Sequence, residues 1–497
     1  MSGILAIDAG TTGVTALIVD EEGEVRSRGY REFAQHFPRP GWVEHDPNDW
    51  WDALGQATEE ALGSAAMEAS ALTAIGITNQ RETTVLWDRE SLEPVHPAIV
   101  WQDRRTAPLC EALRNEGWEE RVRDRTGLVI DPYFSGTKVA WILEHVEGAA
   151  DAARAGRLAF GTVDSYVIAR LSGARRHVTD RTNASRTMLF DIHRLAWDEE
   201  ILERLEIPRA LLPEVLPSAA PFATTESDAF FGAEVPVLGV AGDQQAALFG
   251  EACFEPGATK NTYGTGSFVL MNTGAQAPTS KAGLITTAAA SPTEDPVYAL
   301  EGSIFVTGAA LQWLRDGLGI IGSAAEAGPL AETVPDSGDV YFVPALTGLG
   351  APWWDPYARG LLVGITRGTT RAHLVRAAVE AMAYQTRDVI EAMRSDAGLP
   401  LTELKADGGA SAMDVMLQLQ ADLLGVPVRR PMIQETTALG AAYLAGLQAG
   451  VWGSLGELSG RWRADREFSP GNADAADHGY RRWLEAVERA RGWASSE

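Results

Sequence analysis

Short apolar runs separated by polar turns open the chain. Residues 4–7 are apolar, the Gly/Thr-rich segment 8–13 follows, and a second apolar run covers residues 14–19. An acidic turn at residues 21–23 leads to a third run that begins near Val25. Apolar runs of this length, bounded by glycine and acidic residues, predict strands joined by tight turns. The pattern therefore predicts three consecutive strands.

A helical period and a further strand come next. Asp46 precedes a segment in which Trp50, Leu54 and Ala57 recur on one face. An aspartate in that place is a helix N-cap signal, so a helix is expected to begin here. Residues 72–78 form another apolar run, which ends at the polar residues 79–82 and predicts a strand.

The opening pattern returns in mid-chain, where residues 260–271 place a second Gly-Thr turn between apolar runs. This predicts one hairpin in each half and a weak internal duplication. The later pattern predicts a strand at residues 404–406, a glycine turn, and a helix that ends at Gly425. Another helix is expected over residues 307–317, with Leu311, Leu314 and Leu318 on one face, and a final one over residues 480–491. The domain boundary is expected near residues 250–256.

Composition narrows the class of protein. A chain of 497 residues with 45% hydrophobic and 22% charged residues is an ordinary globular protein, and two large domains fit its length. Its net charge of −26 disfavours nucleic acids and anionic membranes as partners. An acid-rich, lysine-poor surface occurs in salt-adapted proteins, but a GC-rich genome also replaces lysine by arginine.

The compartment is expected to be the cytoplasm. The N-terminus shows no basic segment before a long apolar core, and no apolar stretch approaches the length of about 18 residues that a membrane span needs. Cys110 and Cys253 are expected to be free thiols, because a chain this long has no need of a disulfide.

The two glycine-rich turns are candidate phosphate loops. No P-loop motif occurs, but glycines let backbone N–H groups approach phosphate oxygens, and threonine hydroxyls add donors. Asp8, beside the first turn, could recruit Mg²⁺, which prefers oxygen ligands. The alternative for either turn is an ordinary hairpin. Gly409, in the later glycine turn, could likewise let a ligand approach a helix N-terminus, or serve only as a strand-to-helix turn.

Three polar sites follow predicted strands. Asp243 comes after an apolar strand, where ligands gather in open α/β sheets, and could take a proton from a hydroxyl. Arg81 and Glu82 could bind vicinal hydroxyls, one donating and one accepting. Trp101 could pack on the carbon skeleton of a polyol. The structural alternatives are a helix N-cap, a surface ion pair and a core tryptophan, respectively.

Taken together, these stretches closely resemble the FGGY carbohydrate kinase family, and the resemblance covers nearly the whole chain. Within that family, the chain resembles the members that phosphorylate glycerol. The resemblance is carried by residues 76–84, 99–106, 126–135, 182–190, 241–247, 262–266, 301–305 and 435–442.

The resemblance implies an α/β protein with a two-lobed, actin-like ATPase fold, in which each lobe is a ribonuclease-H-like mixed sheet flanked by helices. Residues 1–250 would form the N-terminal lobe and residues 251–497 the C-terminal lobe. It implies phosphorylation of glycerol by ATP to give ADP and sn-glycerol 3-phosphate, with Mg²⁺, in glycerol catabolism. It also implies a homodimer or homotetramer.

Site residues follow from the resemblance by position. The glycerol-binding residues would be Arg81, Glu82, Tyr133, Asp243 and Gln244, with Trp101 and Phe268 as aromatic walls. The nucleotide would be held by Thr11, Thr12 and Gly13 in the first phosphate loop, Thr265 in the second, and Gly308, Gln312 and Gly409. Asp243 would be the general base and Asp8 the Mg²⁺-associated carboxylate.

Three departures from the family pattern stand out. Members that phosphorylate glycerol often carry an arginine at the position of Thr15, so a charge contact near the phosphates is missing here. They often carry an asparagine at the position of Met413, and methionine cannot form the hydrogen bonds of an amide near the adenine. The loop around Ala229 lacks the phosphorylatable histidine of some members and the longer Gly/Arg loop by which others bind fructose 1,6-bisphosphate. Neither control is expected here.

Two alternatives stay open. One is a kinase of the same family that acts on another polyol or sugar, since residues 13–15 depart from the usual first loop. The other is an ATP-driven conformational switch of the actin or chaperone type, which would share the phosphate loops but need no polyol pocket.

Overall fold

Two mixed β-sheets, one from each half of the chain, carry the architecture. The computed structural model describes residues 2–494.

The strands of the first half are β1 (Gly3–Ala9), β2 (Gly13–Val19), β3 (Val25–Glu32), β4 (Glu44–His45), β5 (Leu72–Asn79), β6 (Val85–Asp88), β7 (Ala98–Ile99), β8 (Leu158–Gly161), β9 (Val178–Asp180), β10 (Phe190–Asp191), β11 (Ala196–Trp197), β12 (Glu214–Leu216), β13 (Ala219–Thr224) and β14 (Pro236–Gly242). The helices of this half are α1 (Pro47–Ala65), α2 (Ala107–Asn115), α3 (Glu119–Thr126), α4 (Ser135–His145), α5 (Ala149–Arg154), α6 (Val163–Leu171), α7 (Arg181–Ala184), α8 (Glu199–Arg204) and α9 (Asp243–Gly250).

The strands of the second half are β15 (Thr259–Tyr263), β16 (Ser267–Gly274), β17 (Ile285–Ala288), β18 (Tyr298–Ile304), β19 (Tyr341–Val343), β20 (Leu361–Val363), β21 (Leu404–Asp407), β22 (Val428–Pro431) and β23 (Ala464–Phe468). The helices of this half are α10 (Gly308–Asp316), α11 (Ala327–Ala331), α12 (Arg371–Ala397), α13 (Asp414–Leu424), α14 (Thr436–Gln448), α15 (Leu455–Arg461) and α16 (Ala473–Ala490).

The two main sheets repeat one strand order. The first runs β13-β14-β5-β1-β2-β3, and the second runs β23-β22-β21-β15-β16-β18, with β17 added at its edge. In both, the opening hairpin is antiparallel, and its first strand pairs in parallel with a strand much later in the chain, β5 or β21. The predicted duplication is therefore confirmed, as is the α/β fold class with two ribonuclease-H-like lobes.

Local signals account for most element boundaries. The Asp46 carboxylate accepts from the backbone N–H of Asn48 and caps α1, and Trp50, Leu54 and Ala57 are buried against the first sheet. Helix α13 ends at Gly425, which has a φ of 68°.

Three predicted details differ from the structure. Leu318 was expected on one face of α10 with Leu311 and Leu314, but it lies beyond the helix end and is 44% exposed. The glycine turn after β21 leads into a 3₁₀ turn, Gly409–Ala412, before α13 begins. The last helix, α16, begins at Ala473, seven residues before the predicted start, because Asn472 caps it.

Helix α14 belongs to the second half of the chain but packs on the first sheet. It lies against β1, β5 and β14 and against α9. The approach is so close that a Cβ at Gly76 would collide with the carbonyl group of Ala441, and one at Gly440 with that of Ala246. The chain therefore crosses back to the first sheet after β22. Within residues 2–494, no helix combines the length and apolar character that a membrane span requires.

Candidate active site

Parallel strand ends bring Arg81 and Asp243 together. Strands β5 and β14 are parallel neighbours, with Asn79 opposite Gly242, so the residues just beyond them meet at one edge of the sheet. Arg81 Nε lies 3.0 Å from Asp243 Oδ1. Glu82 has a φ of 61°, an uncommon conformation for a residue with a Cβ and one that often marks a functional site. The sheet edge therefore holds a compact polar site.

Four buried side chains form a charge quartet behind this edge: Arg81, Glu82, Arg186 and Glu301. Arg81 donates to Glu301 through Nη1 (2.5 Å) and Nη2 (3.0 Å). Arg186 donates through Nε to Glu82 (2.6 Å) and through Nη2 to Glu301 (3.2 Å). Two guanidinium groups and two carboxylates balance in charge, which is the condition under which buried ions are tolerated.

Glu301 is the carboxylate that both arginines share. Burial on its own would raise its pKa, but the charges of Arg186 and Arg81 outweigh burial and lower that pKa from 4.5 to about 2. Glu301 therefore stays ionised through the physiological pH range. Because it lies on β18 of the second sheet, it ties the polar edge of the first sheet to the second half of the molecule.

Aromatic side chains border the quartet. The rings of Trp101 and Tyr133 meet edge to face, with centroids 5.5 Å apart. The guanidinium carbon of Arg81 lies 5.9 Å from the ring centroid of Phe268, and that of Arg186 lies 5.4 Å from Tyr133. The predicted polyol residues Arg81, Tyr133, Trp101 and Phe268 thus surround one site with polar groups and apolar walls.

Asp243 is the half-buried member of this group, with its side chain 29% exposed. It is the first residue of α9, Gly242 occupies the N-cap position, and its carboxylate accepts from the N–H of Gln244 (2.7 Å). Burial raises the pKa of Asp243, and Arg81 opposes the rise. Gln244 follows in sequence, but its side chain accepts from Lys260 Nζ (2.6 Å).

Asp8 lies near Asp243, at the end of β1. Burial, and then the charge of Asp243, raise the pKa of Asp8 to about 7. Two carboxylates that repel each other in this way offer hard oxygen donors for a divalent cation. Within residues 2–494 no group of three or more His, Cys, Asp or Glu side chains gathers as a metal site. Mg²⁺ fits these residues, because it commonly takes one or two carboxylates and fills the rest of its shell with phosphate oxygens and water.

The first Gly-Thr turn is a tight hairpin between β1 and β2. Gly10 N–H donates to the carbonyl of Gly13 (3.0 Å), and Thr12 is exposed at the tip. Trp101 Nε1 donates to Thr11 Oγ1 (3.0 Å), so the predicted aromatic wall is attached to this turn. Thr15 lies opposite Asp8 on β2, on the same face of the sheet.

The second Gly-Thr turn joins β15 to β16 and supports the start of α10. The N–H groups of Thr307 and Ala309 donate to the Thr265 carbonyl (2.9 and 3.0 Å), and Gly308 N–H donates to that of Gly264 (3.0 Å). Gln312 is exposed on α10, and Gly409 is exposed after β21. Met413 is buried and packs against Gly328. The predicted nucleotide residues of the second half thus lie on the second Gly-Thr turn, on α10 and on the turn after β21.

Residue-by-residue reasoning missed Arg186, Glu301 and Lys260. Each lies in or beside a stretch that carries the family resemblance, but none had an assigned role. A signal was present in Glu301, a single carboxylate within the otherwise apolar and small residues of β18. A buried charge needs a partner, so an acid in such a strand points to an arginine elsewhere.

Comparisons with known proteins agree with this geometry. The model described as "FGGY family of carbohydrate kinases, N-terminal domain" matches residues 3–250, and the C-terminal domain model of the same family matches residues 259–449. The protein named glycerol kinase 2 of Thermotoga maritima is 56% identical over 494 residues, 99% of either chain. The glycerol kinase of Symbiobacterium thermophilum is 57% identical over 493 residues, again 99% of either chain. The crystal structure of Plasmodium falciparum glycerol kinase with ADP has a TM-score of 0.92 at 34% identity, covering 99% of this chain and 98% of that one.

Proposed function

The chain belongs to the FGGY family of carbohydrate kinases, and on that basis we propose that it transfers the γ-phosphoryl group of ATP to glycerol, giving ADP and sn-glycerol 3-phosphate. The observation that carries the proposal is Asp243, held beside Arg81 at the ends of two parallel strands and bordered by aromatic rings. A conformational switch of the actin or chaperone type needs no such constellation. The reaction would be the entry step of glycerol catabolism.

Asp243 acts as the general base. Its carboxylate takes the proton of the attacking glycerol hydroxyl as the new P–O bond forms, and a pKa raised by burial brings the base closer to neutral pH. Arg81 donates to the remaining hydroxyl groups, and Glu82 accepts from them. The carbon chain packs between Trp101 and Phe268, which keeps water from the reacting oxygen.

The two Gly-Thr turns bind the polyphosphate of ATP. Thr11, Thr12 and Gly13 supply backbone N–H groups and hydroxyls on one side, and Thr265 does so on the other. Asp8 would hold Mg²⁺, which neutralises charge on the phosphate oxygens when bound. Gly308 and Gln312, on α10, and Gly409, in the turn after β21, contact the rest of the nucleotide.

We also propose that residues 1–250 and 251–497 act as two lobes that close on the substrates, with α14 of the second packed on the first sheet and moving with it. The pairing of Glu301 with Arg81 and Arg186 supports a hinge near these residues, because it joins the two sheets behind the site. Closure would expel water and so limit hydrolysis of ATP. The enzyme would work in the cytoplasm as a homodimer or homotetramer, and sedimentation velocity at working concentration tests the assembly.

The first experiment is ADP release with glycerol as the only acceptor, at low and at high KCl. We expect turnover that depends on glycerol, and its response to KCl decides whether the net charge of −26 reflects adaptation to salt. Turnover with xylulose or erythritol but not with glycerol would indicate a kinase of the same family that acts on another polyol or sugar. Hydrolysis of ATP that is independent of any polyol would instead favour an ATP-driven conformational switch.

A further inference from the structure

A fully buried histidine lies behind the first Gly-Thr turn. His45, on the short strand β4, contacts three polar side chains. Its Nε2 is 2.8 Å from Gln35 Oε1, and its Nδ1 is 3.2 Å from Trp50 Nε1 and 3.5 Å from Gln80 Nε2. None of these four residues belongs to the site proposed above.

The partners of His45 define its tautomer. The indole N–H of Trp50 can only donate, and Gln80 also presents its amide N–H to the same ring nitrogen, so Nδ1 must accept. The proton of a neutral imidazole is then on Nε2, which donates to Gln35 Oε1. Burial, together with the charge of His36, lowers the pKa of His45 to about 4, so this neutral tautomer persists at neutral pH.

The tautomer in turn orients the amide of Gln35. With its oxygen taken by His45, the amide nitrogen of Gln35 donates to the carbonyl of Thr11 (2.7 Å). Gln80 Nε2 donates in the same way to the carbonyl of Gly10 (3.0 Å). Two successive carbonyl groups of the turn are therefore held by hydrogen bonds on the side of β4 and α1.

Tying back the carbonyls sets the direction of the N–H groups. In a planar trans peptide the C=O of one residue and the N–H of the next point in opposite directions. Holding the carbonyls of Gly10 and Thr11 inward thus turns the N–H groups of Thr11 and Thr12 outward. Within residues 2–494 neither N–H donates a hydrogen bond, so both are available to an anion.

We propose that His45 and Gln35 are positioning residues for the phosphate groups of ATP: a hydrogen-bond relay from Trp50 through His45 and Gln35 holds the first Gly-Thr turn with its N–H groups directed at the nucleotide. This rests on the proposed kinase function only in taking ATP as the anion. Gln35 is half-buried, and within residues 2–494 its side chain hydrogen-bonds Thr11 and His45, so the relay acts first on the nucleotide-binding turn and reaches the polyol side only through the bond from Trp101 to Thr11.

The test is Gln35→Met, a neutral change of similar length that removes both hydrogen bonds of the amide. Gln56→Met is the matched control, because Gln56 is exposed on α1 and outside the relay. We expect the KM for ATP to rise about fivefold in Gln35→Met, the effect of one lost hydrogen bond to the turn, while the KM for glycerol stays within twofold. An unchanged KM for ATP, or an equal rise in both constants, would overturn the proposal.

A second variant tests the order of the relay. His45→Asn keeps an acceptor near Trp50 but is too short to reach Gln35. If the two residues act through one chain of hydrogen bonds, the double variant raises the KM for ATP no further than Gln35→Met alone. Effects that multiply in the double variant would contradict the relay.

Calorimetric titration with ATP separates this inference from the proposed function. The Kd for ATP reports on the turn whichever polyol is phosphorylated. If the parent protein shows no glycerol-dependent turnover but Gln35→Met still weakens ATP binding about fivefold, the proposed substrate fails and the relay stands. If the Kd is unchanged, the relay fails whatever the parent phosphorylates.

Discussion

Arg81 and Glu301 form a two-point ion pair across the two halves of the molecule. Their N–O distances are 2.5 and 3.0 Å, and both side chains are buried. Arg81 also contacts Asp243 through its Nε, so one guanidinium group links the candidate base to the second sheet. The polar site and the relative position of the two sheets are therefore coupled through this pair.

Glu301→Gln is expected to destabilise the fold by about 3–5 kcal/mol, because the buried guanidinium groups of Arg81 and Arg186 would lose the carboxylate that they share. The KM for glycerol should rise as well, since Arg81 loses its anchor. Thermal unfolding and steady-state kinetics measure the two effects. Glu294→Gln is the control, because the Glu294 side chain is 82% exposed in its ion pair with Arg181. Exposed ion pairs contribute little to stability. Equal melting temperatures for the two variants would contradict the structural role of Glu301.

Stability should also fall in acid because of Glu301. Its pKa is lowered in the folded state, from 4.5 to about 2, so the folded protein favours the ionised form. The resulting stabilisation is fully present above pH 4.5 and is lost as the pH falls toward 2. The difference in unfolding free energy between the parent and Glu301→Gln should therefore be constant near neutrality and shrink below pH 4.5. A difference that grew on acidification would have the wrong sign for this pair.

The sequence predicted the local elements and the strand-end residues well, but not the contacts between halves. Gly-Thr turns and the Asp46 cap act over a few residues, so their signals can be read locally. The pairing of Arg81 with Glu301 spans 220 positions and depends on how two sheets meet. The lone carboxylate of β18 indicates that an arginine faces Glu301, but the local pattern does not identify that arginine as Arg81 of the other sheet.

The packing of α14 on the first sheet could not be predicted from the sequence for the same reason. The helix is apolar nearly all round and was not predicted, and the sheet that it covers is decided by the small residues of distant strands, such as Gly76. The end of α10 was predicted to within one residue, and the error was to extend its apolar face to Leu318, which lies beyond that end.

Asp243→Asn is expected to reduce kcat with glycerol by about 10²–10⁴-fold, since the amide keeps the shape but cannot take a proton. Binding of ATP should be nearly intact. Initial rates and an ATP titration measure the two quantities. Asp228→Asn makes the same chemical change in an exposed turn and should leave both unchanged. Retained turnover in Asp243→Asn would remove Asp243 from the base role.

Trp101→Phe separates two contributions of one side chain. Phenylalanine keeps an aromatic wall beside Tyr133 but removes the N–H that donates to Thr11 Oγ1. We expect the KM for ATP to rise about threefold, as for the loss of one neutral hydrogen bond, with a smaller change for glycerol. Trp118→Phe, at a half-buried tryptophan before α3, is the control. A rise confined to the KM for glycerol would mean that the bond to Thr11 contributes nothing.

Fructose 1,6-bisphosphate is expected to leave the activity unchanged. Residues 226–234 hold three carboxylates and no basic side chain, so this segment repels a bisphosphate rather than binding it. The segment is a short turn built on the 3₁₀ helix Ser227–Ala229, with Phe230 buried beneath it. Initial rates at saturating glycerol and ATP, with the bisphosphate or with fructose as the uncharged control, test this. A large change in activity caused by the bisphosphate, at concentrations where fructose has no effect, would contradict this prediction.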